Sequence, residues 1–126
     1  MRILIADDNE FIRRGILGLL TRHGGHEVCG EATDSTDTIQ KASTLHPDLI
    51  LLDVSMPGTN GLETARIVKE QLPQTKILII SQHDPQQMLL RSLEAGADGS
   101  VDKARLSTDL LPAIRELEDT SSGRLA

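Results

Sequence analysis

Short apolar runs alternate with amphipathic stretches along the whole chain. The runs Arg2 to Ala6, Glu27 to Ala32, Leu49 to Asp53, Lys76 to Ile80 and Gly99 to Val101 read as strands. Three carry continuous apolar centres, Ile3-Leu4-Ile5-Ala6, Leu49-Ile50-Leu51-Leu52 and Ile77-Leu78-Ile79-Ile80, as strands covered on both faces do. The intervening stretches read as helices. Asn9 to Arg22 places Ile12, Ile16, Leu19 and Leu20 on one face and stops at Gly24-Gly25. Ser35 or Thr36 to about Leu45 turns Ile39, Ala42 and Leu45 inward and ends at His46-Pro47. A third starts near Asn60-Gly61, buries Leu62, Ala65, Val68 and Leu72, and ends before Pro73. Asp84 caps a fourth with Pro85 in its first position, and it runs to Ala95-Gly96.

The fifth helix is expected from Ser107 or Thr108, with Leu106, Leu110, Ala113, Ile114 and Leu117 at helical spacing and Pro112 about one turn in. Asp119 to Ala126 shows no periodicity and contains Ser121-Ser122-Gly123, so it reads as a tail or the start of a linker. Strands alternating with helices predict an α/β fold, a parallel sheet covered on both sides. Five such units suit the flavodoxin-like (βα)5 arrangement with strand order 2-1-3-4-5. In that order the first and third strands are neighbours, and the switch point between them lies at the carboxyl rim, where open sheets of this kind bind ligands.

Chemistry gathers at that rim. Asp7 and Asp8 end the first apolar run and Asp53 ends the third. Three converging carboxylates repel one another and ask for a divalent cation. Ser81 directly follows Ile80, and Lys103 comes just after the short fifth strand. Taken singly, Asp7, Asp8 and Asn9 are ordinary helix caps, Ser81 a turn residue and Lys103 a surface lysine. Gly61 and Gly99 read as backbone requirements.

Composition narrows the alternatives. A chain of 126 residues with 38% hydrophobic and 25% charged positions suits one globular domain. Its net charge of −6 argues against direct nucleic-acid binding. With no Trp, no Tyr and one Phe, it also lacks the stacking platforms of single-strand binders. Cys29 is alone, which excludes an internal disulfide and favours a reducing compartment; it is expected as a small buried hydrophobe. No apolar stretch approaches the ~20 residues that span a bilayer, and Met1-Arg2-Ile3-Leu4 has no signal-peptide layout, so a cytoplasmic location is expected. The four histidines form no metal-ligand spacing, and His83 reads as a solvated loop residue near the rim.

From Arg2 to about Glu118 the chain resembles the receiver domain of bacterial two-component response regulators. The motifs are Asp7-Asp8, Asp53 followed by Met56-Pro57-Gly58-Thr59-Asn60-Gly61, then Ser81, then Ala95-Gly96-Ala97-Asp98-Gly99 leading to Lys103. The resemblance implies a receiver domain over 1–118, with 119–126 a tail or the start of a linker. It implies that Asp53 accepts a phosphoryl group from a phosphohistidine on a sensor histidine kinase. It places Mg²⁺ on Asp8, Asp53 and the Ser55 backbone carbonyl directly and on Asp7 through water. Lys103 would pair with a phosphoryl oxygen, and Ser81 would donate to one and drag the loop Ser81-Gln82-His83-Asp84. Such a protein promotes its own phosphorylation and dephosphorylation and is not a turnover enzyme.

Leu62-Glu63-Thr64-Ala65-Arg66 and Ser81-Gln82-His83-Asp84 look like regulators of the LuxR/NarL type, whose receiver precedes a helix-turn-helix. That implies DNA contact only through an output domain outside these residues, and self-association through the first and fifth or the fourth and fifth helices. Three positions depart from the family pattern. Ser100 stands where most relatives carry Tyr or Phe, so output is expected through Ser81 and its loop alone. Ala104 replaces a Pro that is often cis, and a trans link is expected because a cis bond before Ala costs ~3 kcal/mol. Gln82 replaces a small residue, which would slow water's attack on a phosphoryl group. A receiver that serves as a phosphorylation-independent interaction module is the alternative. An aspartate-dependent phosphatase would want an acid at position 55, where this chain has Ser55. A flavodoxin or cobalamin carrier fits the fold but finds no suitable phosphate loop, aromatic stack or histidine motif.

Overall fold

A computed structural model describes residues 1–58, 60–82 and 84–121. Five parallel strands, β1 (Arg2–Ala6), β2 (Glu27–Ala32), β3 (Leu49–Asp53), β4 (Lys76–Ser81) and β5 (Gly99–Asp102), form one sheet in the order β2-β1-β3-β4-β5. The expected α/β fold and strand order are therefore what the chain adopts. Helices α1 (Glu10–Arg22), α2 (Ser35–Leu45), α3 (Gly61–Gln71), α4 (Pro85–Glu94) and α5 (Leu106–Ser121) cover both faces.

Alternation along the strands divides the core in two. Leu4, Ala6, Ile50, Leu52, Ile77 and Ile79 face α2, α3 and α4, where Ala42, Ala65, Val68 and Met88 close over them. Ile3, Ile5, Leu49, Leu51, Leu78 and Ile80 face α1 and α5 and meet Ile16, Leu20, Leu110, Ile114 and Leu117. Because both faces are buried, a one-residue slip of any central strand would exchange the two packings, and this fixes the register. β1 and β3 pair from Ile3↔Leu49 to Ala6↔Leu52. Asp7 and Asp53 are the next residues on the two strands, so the ladder itself brings them together.

Several boundaries differ from expectation. β4 includes Ser81 and β5 includes Asp102, because the pairing with β5 continues through Ser81↔Asp102. A 3₁₀ turn at Lys103–Arg105 follows, capped by the Asp102 side chain, which accepts from the Ala104 N–H at 3.0 Å. This turn leads straight into α5, so the helix starts at Leu106 and not at Ser107 or Thr108. Pro112 is then its seventh residue and nearly two turns in; it is exposed, as is Thr108, whose carbonyl loses its helical partner to the proline. Packing through Leu117 carries the helix to Ser121, so 119–121 are helical although they lack periodicity. Thr59, His83 and the tail positions 122–126 lie outside the described residues.

Cys29 sits on β2 as expected but is half-buried, not buried. β2 is an edge strand, and its register jumps from Ile3↔Val28 to Leu4↔Gly30, which leaves Cys29 as the extra residue of a bulge. Burial pushes its thiol above the ordinary value, against a smaller opposing pull from Arg2. No described helix is long and apolar enough to cross a membrane.

The loop after β3 depends on one glycine. A Cβ on Gly61 would lie 2.5 Å from Val54 Cα and 3.1 Å from the Asp53 carbonyl oxygen. Both obstacles are backbone, so neither can swing aside. The Gly61 N–H also donates to the Val54 carbonyl at 3.1 Å, tying α3 to the residue after Asp53. Gly61→Ala is expected to cost about 2–3 kcal/mol by this overpacking, a fall in Tm of roughly 10 °C seen by circular dichroism. An unchanged midpoint would show that the loop has slack this geometry lacks.

Candidate functional site

Asp7, at the end of β1, is buried. Its Oδ1 accepts the Asn9 N–H at 2.8 Å, and Asn9 in turn caps α1 by accepting from the Ile12 N–H at 3.2 Å. Arg13 reaches back from α1 to donate to the Asp7 backbone carbonyl at 2.7 Å. Oδ2 faces the Lys103 ammonium at 3.1 Å and has no other polar donor among the described residues. A charged oxygen held that way inside a protein is costly. Burial pushes the Asp7 carboxyl above the ordinary carboxylate range and Asp53 adds to the push, while Asn9 and Lys103 oppose it.

The linkage has a definite sign. A carboxyl with a raised folded pKa favours the folded state below its unfolded value of 3.8, and this advantage is lost as pH rises through the folded value. Asp7→Asn removes that cost at neutral pH and leaves Oδ1 able to accept from Asn9. The variant is expected to melt roughly 2–6 °C higher than wild type at pH 7 in chelator, and the gap is expected to close as pH falls toward 3.8. Equal midpoints at pH 7 would contradict this.

Asp53 is also buried. Its Oδ1 accepts from the Ser55 N–H at 3.1 Å and from the Ser55 hydroxyl at 3.0 Å. Such a turn closes on itself because a carboxylate reaches the N–H two residues on. Oδ2 points instead to Lys103 Nζ, 3.3 Å away. Lys103 thus spans both buried carboxylates with a side chain only 10% exposed. Burial alone would lower its pKa, but Asp7 and Asp53 outweigh it and hold the ammonium above the ordinary lysine value.

Ser81 is buried at the end of β4, on the strand adjacent to β3. Asp8, unlike its two companions, is exposed, so it sits at the mouth of the cluster. Carboxylate oxygens of Asp7, Asp8 and Asp53 lie within 4.8 Å of one another. The rim therefore brings together the three acids, Lys103 and the Ser55 turn, with Ser81 ending the neighbouring strand. The Lys103–Ala104 link is trans as expected, since the described residues contain no cis bond. The Ser55 hydroxyl was not foreseen as a donor to Asp53; the signal available was a serine two residues after an aspartate, a spacing that favours local turns.

The donor set fits a hard divalent cation. One lysine stands against three carboxylates, all the ligand atoms are oxygens, and the buried Asp7 Oδ2 has Lys103 as its one donor among the described residues. Mg²⁺ prefers such oxygens and keeps several waters, for which the exposed Asp8 side leaves room.

Comparisons with known proteins agree with this architecture. A family model described as the response regulator receiver domain matches residues 3–115. The response regulator protein VraR of Staphylococcus saprophyticus is 33% identical over 122 residues, which is 97% of this chain and 58% of that protein. The chain thus spans less than two thirds of that relative's length. A two-component response regulator of the LuxR family from Aurantimonas sp. SI85-9A1 superposes with a TM-score of 0.83 at 30% identity, over 97% of this chain and 85% of that one. The signal receiver domain of the response regulator NarL from Mycobacterium tuberculosis gives 0.84 at 32% identity, over 97% and 96%.

Proposed function

This chain belongs to the response regulator receiver domain family, and on that basis we propose that Asp53 accepts a phosphoryl group from a phosphohistidine on a sensor histidine kinase. The observation that carries the proposal is Lys103 Nζ standing 3.1 Å from Asp7 and 3.3 Å from Asp53, beside a carboxylate cluster suited to Mg²⁺. An Asp53 carboxylate oxygen attacks phosphorus in line. The new O–P bond forms as the P–N bond breaks, and the imidazole nitrogen keeps the electron pair. The Ser55 N–H and hydroxyl fix the carboxylate so that it attacks from one orientation. Lys103 balances the charge that gathers on the phosphoryl oxygens.

Asp8, Asp53 and the Ser55 carbonyl would hold Mg²⁺ directly, with Asp7 acting through water. When bound, the ion supplies charge neutralisation for the transferring group. Ser81 donates to a phosphoryl oxygen once one is present, and its movement biases α4. The receiver occupies 1–118 and works in the cytoplasm. It controls a helix-turn-helix output domain that binds DNA, in line with the LuxR/NarL-type relatives. Phosphorylation promotes a homodimer through α1 and α5, where Phe11 and Leu17 are exposed, or through α4 and α5, where Leu89, Leu90 and Leu93 are.

The test is phosphoryl uptake from a small phosphodonor, followed by intact mass. One phosphoryl group with Mg²⁺ and none with chelator is expected. Mg²⁺ at about 100 times its Kd should also stabilise wild type by about 2.7 kcal/mol and Asp8→Ala by much less. No uptake under any metal condition would favour a phosphorylation-independent interaction module.

A further inference from the structure

Two cavities flank the first turns of α4, and they share one wall. The first, about 430 Å³, lies between α4, β5 and α5 and is lined by Ser81, Leu89, Ser100, Val101 and Ala113 with Met88. The second, about 370 Å³, lies between the loop after β3 and α4 and is lined by Val54, Asn60, Leu62, Asp84 and Arg91, again with Met88. Met88 is only 3% exposed and packs into the core cluster beneath α4.

Both cavities touch the phosphorylation site through the chain. Ser81 is part of the first. Val54, part of the second, follows Asp53; its N–H donates to the Ile80 carbonyl and its own carbonyl accepts from Gly61, both at 3.1 Å. Ser100 is small, so no bulky group fills the first cavity beside Ser81. A methionine is unbranched, with three rotatable bonds and a polarizable sulfur, so it can repack into either space with little backbone movement.

From this geometry we infer that Met88 is the positioning residue that couples Ser81 to α4, repacking into the first cavity when Ser81 withdraws toward Asp53. The inference rests on the phosphorylation of Asp53 proposed above and assigns the side chain that carries its effect outward. Withdrawal of Ser81 deepens the first cavity; Met88 enters it, and the first turn of α4 follows. The exposed Leu89, Leu90 and Leu93 on that helix are then presented differently.

The test uses wild-type protein labelled with ¹³C in the methionine methyls, of which there are three. Beryllofluoride with Mg²⁺ serves as the phosphoryl mimic, and its capture at Asp53 is followed by ¹⁹F spectroscopy. On loading, the Met88 methyl is expected to gain nuclear Overhauser contacts to Val101 and Ala113 methyls. Met88→Ile, stiffened by its β-branch, is expected to load within about twofold of wild type yet show less than about half its α4 amide shifts. A loaded protein whose Met88 methyl keeps its contacts, or a Met88→Ile variant with the full α4 response, overturns this inference alone. Failure to capture beryllofluoride overturns the phosphorylation reading and this inference with it.

Discussion

Lys103→Met is expected to slow phosphoryl uptake from a small phosphodonor by about 10²–10³-fold and to lower the metal-free Tm by roughly 10 °C. The rate effect comes from losing the one ammonium that touches both buried acids, a charge already in place before the phosphoryl group arrives. The stability effect comes from stranding two buried carboxylates without a cation, which costs about 3 kcal/mol. The double variant Asp7→Asn/Lys103→Met should recover about half the lost stability and none of the lost rate. The pH dependence has the sign usual for a paired lysine. The folded value lies above 10.5, so the stabilisation is complete at neutral pH and is lost as pH rises through that folded value. Denaturant titrations of wild type and variant should therefore converge in strong alkali. A variant that matches wild type in rate and midpoint at pH 7 would remove Lys103 from the account.

Ser81→Ala is expected to separate phosphorylation from its consequence. Asp53 and Lys103 keep their partners in this variant, so uptake should stay within a fewfold of wild type. The conformational response of α4 should fall about 10–100-fold in population. A hydrogen bond to a charged group contributes about 1.5–3 kcal/mol, and each 1.4 kcal/mol is a factor of ten. Ser81→Thr keeps the hydroxyl and should keep most of the response. Amide shifts of α4 in the loaded protein read the difference. A full α4 response in the alanine variant would show that the signal leaves the site by another route.

Much of this was legible in the chain. The three apolar runs of β1, β3 and β4 could only be buried strands, and the helix-length spacers between them dictated parallel pairing. That was enough to set Asp7 beside Asp53, because side-by-side strands of similar length end on one rim. Less legible was anything that depended on loop geometry. The 3₁₀ turn after β5 is closed by Asp102 on Ala104, and it moved the start of α5 one residue before the serine and two before the threonine that suggested it. The Lys103 contacts depend on that same turn. The half-burial of Cys29 follows from a bulge in an edge strand, which alternation in β2 does not announce. The cavity beside Ser81 exists because Ser100 is small where α4, β5 and α5 meet, and only their placement shows the gap.

The most direct measurement is chemical. An aspartyl phosphate is an acyl phosphate, and borohydride reduces it to homoserine at the residue that carried it. Wild-type protein treated with a small phosphodonor and Mg²⁺, reduced and sequenced by tandem mass spectrometry, should carry homoserine at position 53 and nowhere else, and the mark should vanish with chelator. Homoserine at position 7 or 8, or none at all in a sample with Mg²⁺ present, would contradict the assignment of Asp53 as the acceptor.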